Sequence, residues 1–277
     1  QVINKQRGIL IFLSTLFWYN KLMNKSTFSL NDTAWVDFYQ LQNPRQNENY
    51  TFPAIIICPG GGYQHISQRE SDPLALAFLA QGYQVLLLNY TVMNKGTNYN
   101  FLSQNLEEVQ AVFSLIHQNH KEWQINPEQV FLLGCSAGGH LAAWYGNSEQ
   151  IHRPKGVILC YPVTSFTFGW PSDLSHFNFE IENISEYNIS EKVTSSTPPT
   201  FIWHTADDEG VPIYNSLKYC DRLSKHQVPF EAHFFESGPH GVSLANGTTA
   251  PSDAYCLPSV HRWVSWASDW LERQIKN

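Results

Sequence analysis

Charge is scarce in this sequence. Asp, Glu, Lys and Arg make up 15% of 277 residues, and 17 Lys and Arg face 24 acidic residues for a net charge of −7. No basic stripe is available to neutralise a phosphate backbone, so nucleic acid is not an expected partner. Cysteine is sparse and odd in number, at 58, 135, 160, 220 and 256. There is no CxxC pair and no Cys/His cluster, so no metal site is expected. Cys58, Cys135 and Cys160 end apolar runs, where a thiol behaves as a small hydrophobe. Scattered thiols of this kind suit a reduced, cytoplasmic setting. No Gly-Lys-Ser/Thr follows the glycine triplet at 60–62, which excludes a P-loop. Repeats and low-complexity tracts are absent. What is plentiful is apolar surface, at 43% with nine Trp, which is enough for one large core.

The length fits a single domain over residues 23–277. Residues 1–22 are read apart from it. Lys5 and Arg7 precede an apolar run, Gly8 to Tyr19, that resembles a leader but is too short for a membrane span. Met23 also offers a start that would make 1–22 an extension. The protein is secreted or anchored if that segment is a true leader, and cytoplasmic otherwise. A homodimer is compatible with the sequence. Asn-x-Ser/Thr triplets occur, but Asn89 lies in a strand-like run and is not an expected glycan site.

Short apolar runs at 54–58, 85–90, 130–133, 157–161, 201–204 and 231–235 read as strands buried on both faces, after an early strand at 34–40. Between them, 72–81, 101–120, 137–145, 214–226 and 259–275 carry helical spacing. This alternation predicts a mostly parallel sheet with helices on both faces. The segment 164–199 breaks the pattern. Placed after a central strand, it is expected to form a small cap over the ligand-binding edge of the sheet. Its aromatics Phe166, Phe168, Trp170 and Phe177, with Tyr63 and Tyr161, are candidates for lining a substrate pocket. Simple packing would account for them equally well.

The strongest chemical signal is Gly134-Cys135-Ser136-Ala137-Gly138-Gly139, between a strand and a helix. This is the context of a nucleophile elbow, which lifts a serine hydroxyl above a sheet. The Ala137 amide, at a helix N-terminus, would face a developing oxyanion. A serine nucleophile needs a base, and the base needs an orienting acid. His240 fits the base. It lies in a Gly/Pro-rich loop after the 231–235 strand, whereas His204, His226, His233 and His261 lie on strands or helices. For the acid, Asp207, Asp208 and Glu209 compete in the loop after 201–204. The glycine loop Pro59-Gly60-Gly61-Gly62-Tyr63 follows another strand and lets backbone amides approach a substrate.

These motifs, with Leu88-Asn89-Tyr90, Tyr161-Pro162, Asp208-Glu209-Gly210-Val211-Pro212 and Gly238-Pro239-His240-Gly241, resemble the α/β-hydrolase superfamily. They are most similar to its hormone-sensitive-lipase-related esterases and to small bacterial carboxylesterases and xylan acetyl-esterase-like hydrolases. The resemblance spans roughly residues 30–275. It implies an α/β-hydrolase fold and a Ser136–His240–Asp208 triad, with Asp-x-x-Val-Pro selecting Asp208. It also implies an oxyanion hole of Gly61, Gly62 and Ala137, and no cofactor. Pro59 stands where the hormone-sensitive-lipase motif has His. With the short cap, this points to small acetyl-type esters, acetylated sugars among them, cleaved through an acyl-enzyme. An arylformamidase or peptidase of the same fold would use the same groups. A non-catalytic binding protein of this fold should have lost at least one of them.

Overall fold

The computed structural model describes residues 23–43, 47, 49–93, 101–172 and 181–276. Eight strands form one sheet: β1 (Met23–Ser29), β2 (Trp35–Leu41), β3 (Phe52–Cys58), β4 (Gln84–Asn89), β5 (Ile125–Cys135), β6 (Val157–Cys160), β7 (Thr200–Thr205) and β8 (Phe230–Phe235). Their order is β1-β2-β4-β3-β5-β6-β7-β8. β1 and β2 run antiparallel, as do β2 and β4, and every other pairing is parallel. The parallel sheet and flanking helices expected from the alternation are therefore present.

The two-residue period of the strands explains the layers. In β3, Ala54, Ile56 and Cys58 face one core and Ile55 and Ile57 the other. The first core is closed by α2 (Phe101–Asn119), α3 (Ala137–Asn147) and α4 (Tyr214–Lys225). The second is closed by α1 (Asp72–Ala80), α5 (Pro258–His261) and α6 (Trp263–Lys276). Trp203, Trp263 and Trp270 pack in the second core, so these tryptophans serve packing. The five cysteines are unpaired, and Cys58, Cys135 and Cys160 are buried.

Two elements differ from the sequence expectation. β1, Met-Asn-Lys-Ser-Thr-Phe-Ser, is mostly exposed and carries no apolar period. It forms because all seven of its residues pair with β2. The single helix expected over 259–275 is two, since Arg262 ends the first and Trp263 starts the second. No helix among the described residues is long and apolar enough to cross a membrane.

Candidate active site

The C-terminal ends of β3, β5, β7 and β8 lie along one edge of the sheet, where open α/β sheets hold ligands. β5 delivers Ser136. Its φ of 53° and ψ of −117° lie in a region that costs an ordinary residue about 1–3 kcal/mol. The turn fits because Gly134 and Gly138, two residues away on either side, have no side chains. A Cβ on Gly134 would stand 2.2 Å from the Gly138 carbonyl oxygen, and one on Gly138 only 2.1 Å from that of Cys58. The Ser136 amide donates to Cys160 O, and Ser136 O accepts from the amides of His140 and Val163.

Ser136 Oγ lies 2.8 Å from His240 Nε2, across 104 residues of chain. On the far side of the ring, His240 Nδ1 lies 2.7 Å from Asp208 Oδ2. Asp208 Oδ1 accepts from the Gly210 and Val211 amides, at 2.8 Å each. Burial opposes charge on Asp208. The hydrogen bonds from His204 and His240, the His240 charge and the Val211 amide outweigh it and hold the carboxyl well below the usual carboxylate range. Asp207, one residue earlier, points elsewhere. It accepts from the Gly238 amide at 2.7 Å, and that bond lowers its pKa. Asp207 thus fastens the loop that carries His240, while Asp208 meets the ring. Glu209 is exposed and lines the cleft.

The glycine loop crosses the front of Ser136. Gly61 and Gly62 have positive φ, 123° and 63°, and line the same cleft as Ser136 and His240. Ala137 opens α3 directly after the nucleophile. Among the described residues the amides of Gly61, Gly62 and Ala137 donate to no protein acceptor. Three such amides near a serine hydroxyl are what an oxyanion needs.

The cleft has a volume of about 710 Å³. Of the aromatics expected to line it, Trp170 does so, beside Gly62. Tyr63, Tyr161 and Phe166 do not. They are 0%, 1% and 2% exposed and belong to the core. Phe168 also turns away and packs edge-on against Tyr214 at 4.9 Å. Phe177, like residues 1–22, lies outside the described residues. The rest of the lining includes the polar groups of Gln64, His65, Ser67, Arg69, Glu70 and Ser172.

Three residues that support the site were given no role from the sequence. His204 is buried in β7, and its Nε2 donates to Val211 O at 2.9 Å and approaches Asp208 Oδ2 at 3.2 Å. Being inside a strand argued against it as the base, and it supports the acid instead. His140 is fully buried behind the nucleophile. Its Nε2 donates to Tyr187 O at 2.9 Å, so its Nδ1 is the acceptor for Tyr63 O–H, also at 2.9 Å. Burial pulls its pKa down to about 4. Glu70 is 3% exposed. It accepts from the Gly60 amide at 2.8 Å and from Tyr161 O–H at 2.7 Å.

The chain is similar to several known proteins. The BD-FAE family model matches residues 37–167. A sugar hydrolase (YeeB) from Lactococcus lactis has a solved structure that is 97% identical. The match covers 92% of this chain and 99% of that one, with a TM-score of 0.87. A carboxylesterase from Lactobacillus plantarum is 30% identical over 91% of this chain and 97% of its own, with a TM-score of 0.83. The chain belongs to the esterase group of the α/β-hydrolases. This hydrolase is also 29% identical to an acetylxylan esterase of Xylanibacter ruminicola, over 78% of the chain and 46% of that protein. Across the curated relatives it matches, the hydrolase chain spans 34% to 59% of their length.

Proposed function

We propose that this α/β-hydrolase is a serine carboxylesterase that cleaves short-chain, acetyl-type esters through an acyl-enzyme. The observation that carries the reading is the hydrogen-bonded series Ser136 Oγ, His240, Asp208, at 2.8 and 2.7 Å. In this mechanism His240 Nε2 takes the Ser136 proton as Oγ attacks the ester carbonyl carbon. The carbonyl oxygen gains the charge, and the amides of Gly61, Gly62 and Ala137 stabilise it. Asp208 holds the Nδ1–H tautomer and stabilises the imidazolium. Collapse of the tetrahedral intermediate expels the alcohol, which takes the proton from His240. Water, activated by the same histidine, then releases the acid and restores Ser136.

The cleft favours a small acyl group on a polar alcohol. A lining that includes Gln64, His65, Ser67 and Arg69 offers hydrogen bonds to the hydroxyls of a polar alcohol. An acetylated sugar meets both demands. The names of similar proteins, an acetylxylan esterase and a sugar hydrolase, support the same substrate class. The test is hydrolysis of nitrophenyl acetate, butyrate and octanoate by the wild type and by Ser136→Ala. The acetate ester should be turned over fastest, and the variant should lose at least about 1000-fold in kcat. Wild-type rates from the variant would remove the nucleophile assignment, and rates rising toward octanoate would remove the short-acyl reading. Acetate release from acetylated xylo-oligosaccharides tests the sugar.

A further inference from the structure

Two catalytic loops come from distant parts of the chain and face each other across the cleft. The glycine loop follows β3, and the histidine loop follows β8. The short turn Gln68–Glu70 lies between them and bonds to both. On one side Glu70 Oε2 accepts from the Gly60 amide, and Gly60 O accepts from the Ser67 amide at 3.0 Å. On the other side Arg69 Nη1 donates to Gly241 O at 2.9 Å, and Ser243 Oγ donates to Arg69 O at 2.7 Å. Glu70 Oε1 accepts from Tyr161 O–H, and the Tyr161 oxygen accepts in turn from the Ser243 amide at 3.2 Å. The edge of the Tyr161 ring meets His240 at 5.3 Å between centroids.

We propose that Glu70 is a positioning residue that keeps the oxyanion loop and the histidine loop in register, with Tyr161 as its arm to the histidine side. The reading rests on the Ser136–His240 mechanism and adds to it. Gly60 is closely surrounded and leaves no room for a side chain. A Cβ on it would stand 2.6 Å from Glu70 Oε2, 3.0 Å from Cys135 O and 3.1 Å from Ser136 Cβ. Because Gly60, Gly61 and Gly62 are consecutive, a shift of Gly60 moves the two amides that follow it. Two donors, the Gly60 N–H and the Tyr161 O–H, converge on the carboxylate. An amide at this position offers one acceptor oxygen and turns an NH2 toward one of the donors. Glu70→Gln keeps the volume and loses the match, while Glu70 itself touches no reacting atom.

The experiment compares Glu70→Gln, Tyr161→Phe and the double variant with wild type on nitrophenyl acetate. Each protein is checked for a folded thermal transition. A trifluoromethyl ketone, which forms a tetrahedral adduct with the serine, reads the oxyanion geometry independently. Small displacements of catalytic groups cost up to about 100-fold. Glu70→Gln should lower kcat about 10- to 100-fold with KM within about twofold, and weaken the ketone by the same factor. Tyr161→Phe should lose about three- to tenfold in kcat. The double variant should be no worse than Glu70→Gln, because both changes break one linkage. A Glu70→Gln enzyme with wild-type kcat overturns the proposal, as do losses that multiply in the double variant. Should Glu70→Gln not fold, an unchanged kcat in Tyr161→Phe overturns the proposal alone. Ser136→Ala separates the two readings: activity in that variant removes the mechanism itself. An inactive Ser136→Ala with a normal Glu70→Gln removes only the role of Glu70.

Discussion

His140 makes the stability of this protein depend on mild acid. The ring is fully buried, and its one acceptor nitrogen takes the Tyr63 O–H of the glycine loop. Protonation would put two donors face to face and a charge in an apolar setting, with Phe166 stacked on the ring at 4.6 Å. Burial accordingly lowers the pKa from 6.5 to about 4. The unfolded chain takes up the proton first as pH falls, so stability is full above about 6.5 and is lost progressively toward 4. At about 1.36 kcal/mol per decade of proton affinity, the loss is about 2 kcal/mol at pH 5 and about 3 kcal/mol below pH 4. For a domain of this size, 2 kcal/mol corresponds to about 4–8 °C in Tm. Other groups also titrate over this range, so the informative quantity is the difference between wild type and His140→Gln, which has no ionisable ring. Urea unfolding of both at pH 7 and pH 5 should show the wild-type advantage shrinking by about 2 kcal/mol. An advantage constant to within about 0.5 kcal/mol between the two pH values would refute the account of His140 as a neutral, buried acceptor.

The two aspartates should separate cleanly. Asp208→Asn removes the charge behind His240 and favours the wrong tautomer, so kcat should fall by about 1000- to 10,000-fold. Asp207→Asn keeps an oxygen for the Gly238 amide and should cost less than about tenfold, and a larger loss from Asp207→Asn would reverse the assignment. Gly138→Ala drives a methyl into the carbonyl oxygens of Cys58 and Pro59, at 2.1 and 2.3 Å. Backbone cannot yield easily there, so a loss of about 3 kcal/mol or more is expected, and a wild-type Tm would contradict it. Trp170 lines the cleft beside Gly62. Trp170→Ala should raise KM for nitrophenyl acetate about three- to tenfold with kcat nearly unchanged, and a change confined to kcat would place Trp170 in the chemistry.

The sequence by itself determined the sheet and the nucleophile turn, because both are written locally. Runs such as Ala54–Cys58 and Val85–Tyr90 need only their own residues to declare a strand buried on two faces. The small residues around Ser136 declare a turn that no larger side chain could make. Tertiary structure decided what depends on distant partners. β1 has no apolar pattern and exists through its pairing with β2. Tyr63, Tyr161 and Phe166 read equally well as pocket or core, and packing placed them in the core. Asp207 and Asp208 are adjacent and chemically identical. Which one meets the His240 ring depends on a loop about 30 residues further on, since Asp208 Oδ2 reaches His240 Nδ1 while Asp207 reaches the Gly238 amide. Glu70 gave no signal at all, because the Tyr161 hydroxyl that it holds is 91 residues away in sequence. Only the folded sheet brings that pair together, since local pattern records the period of an element and not what its side chains will meet.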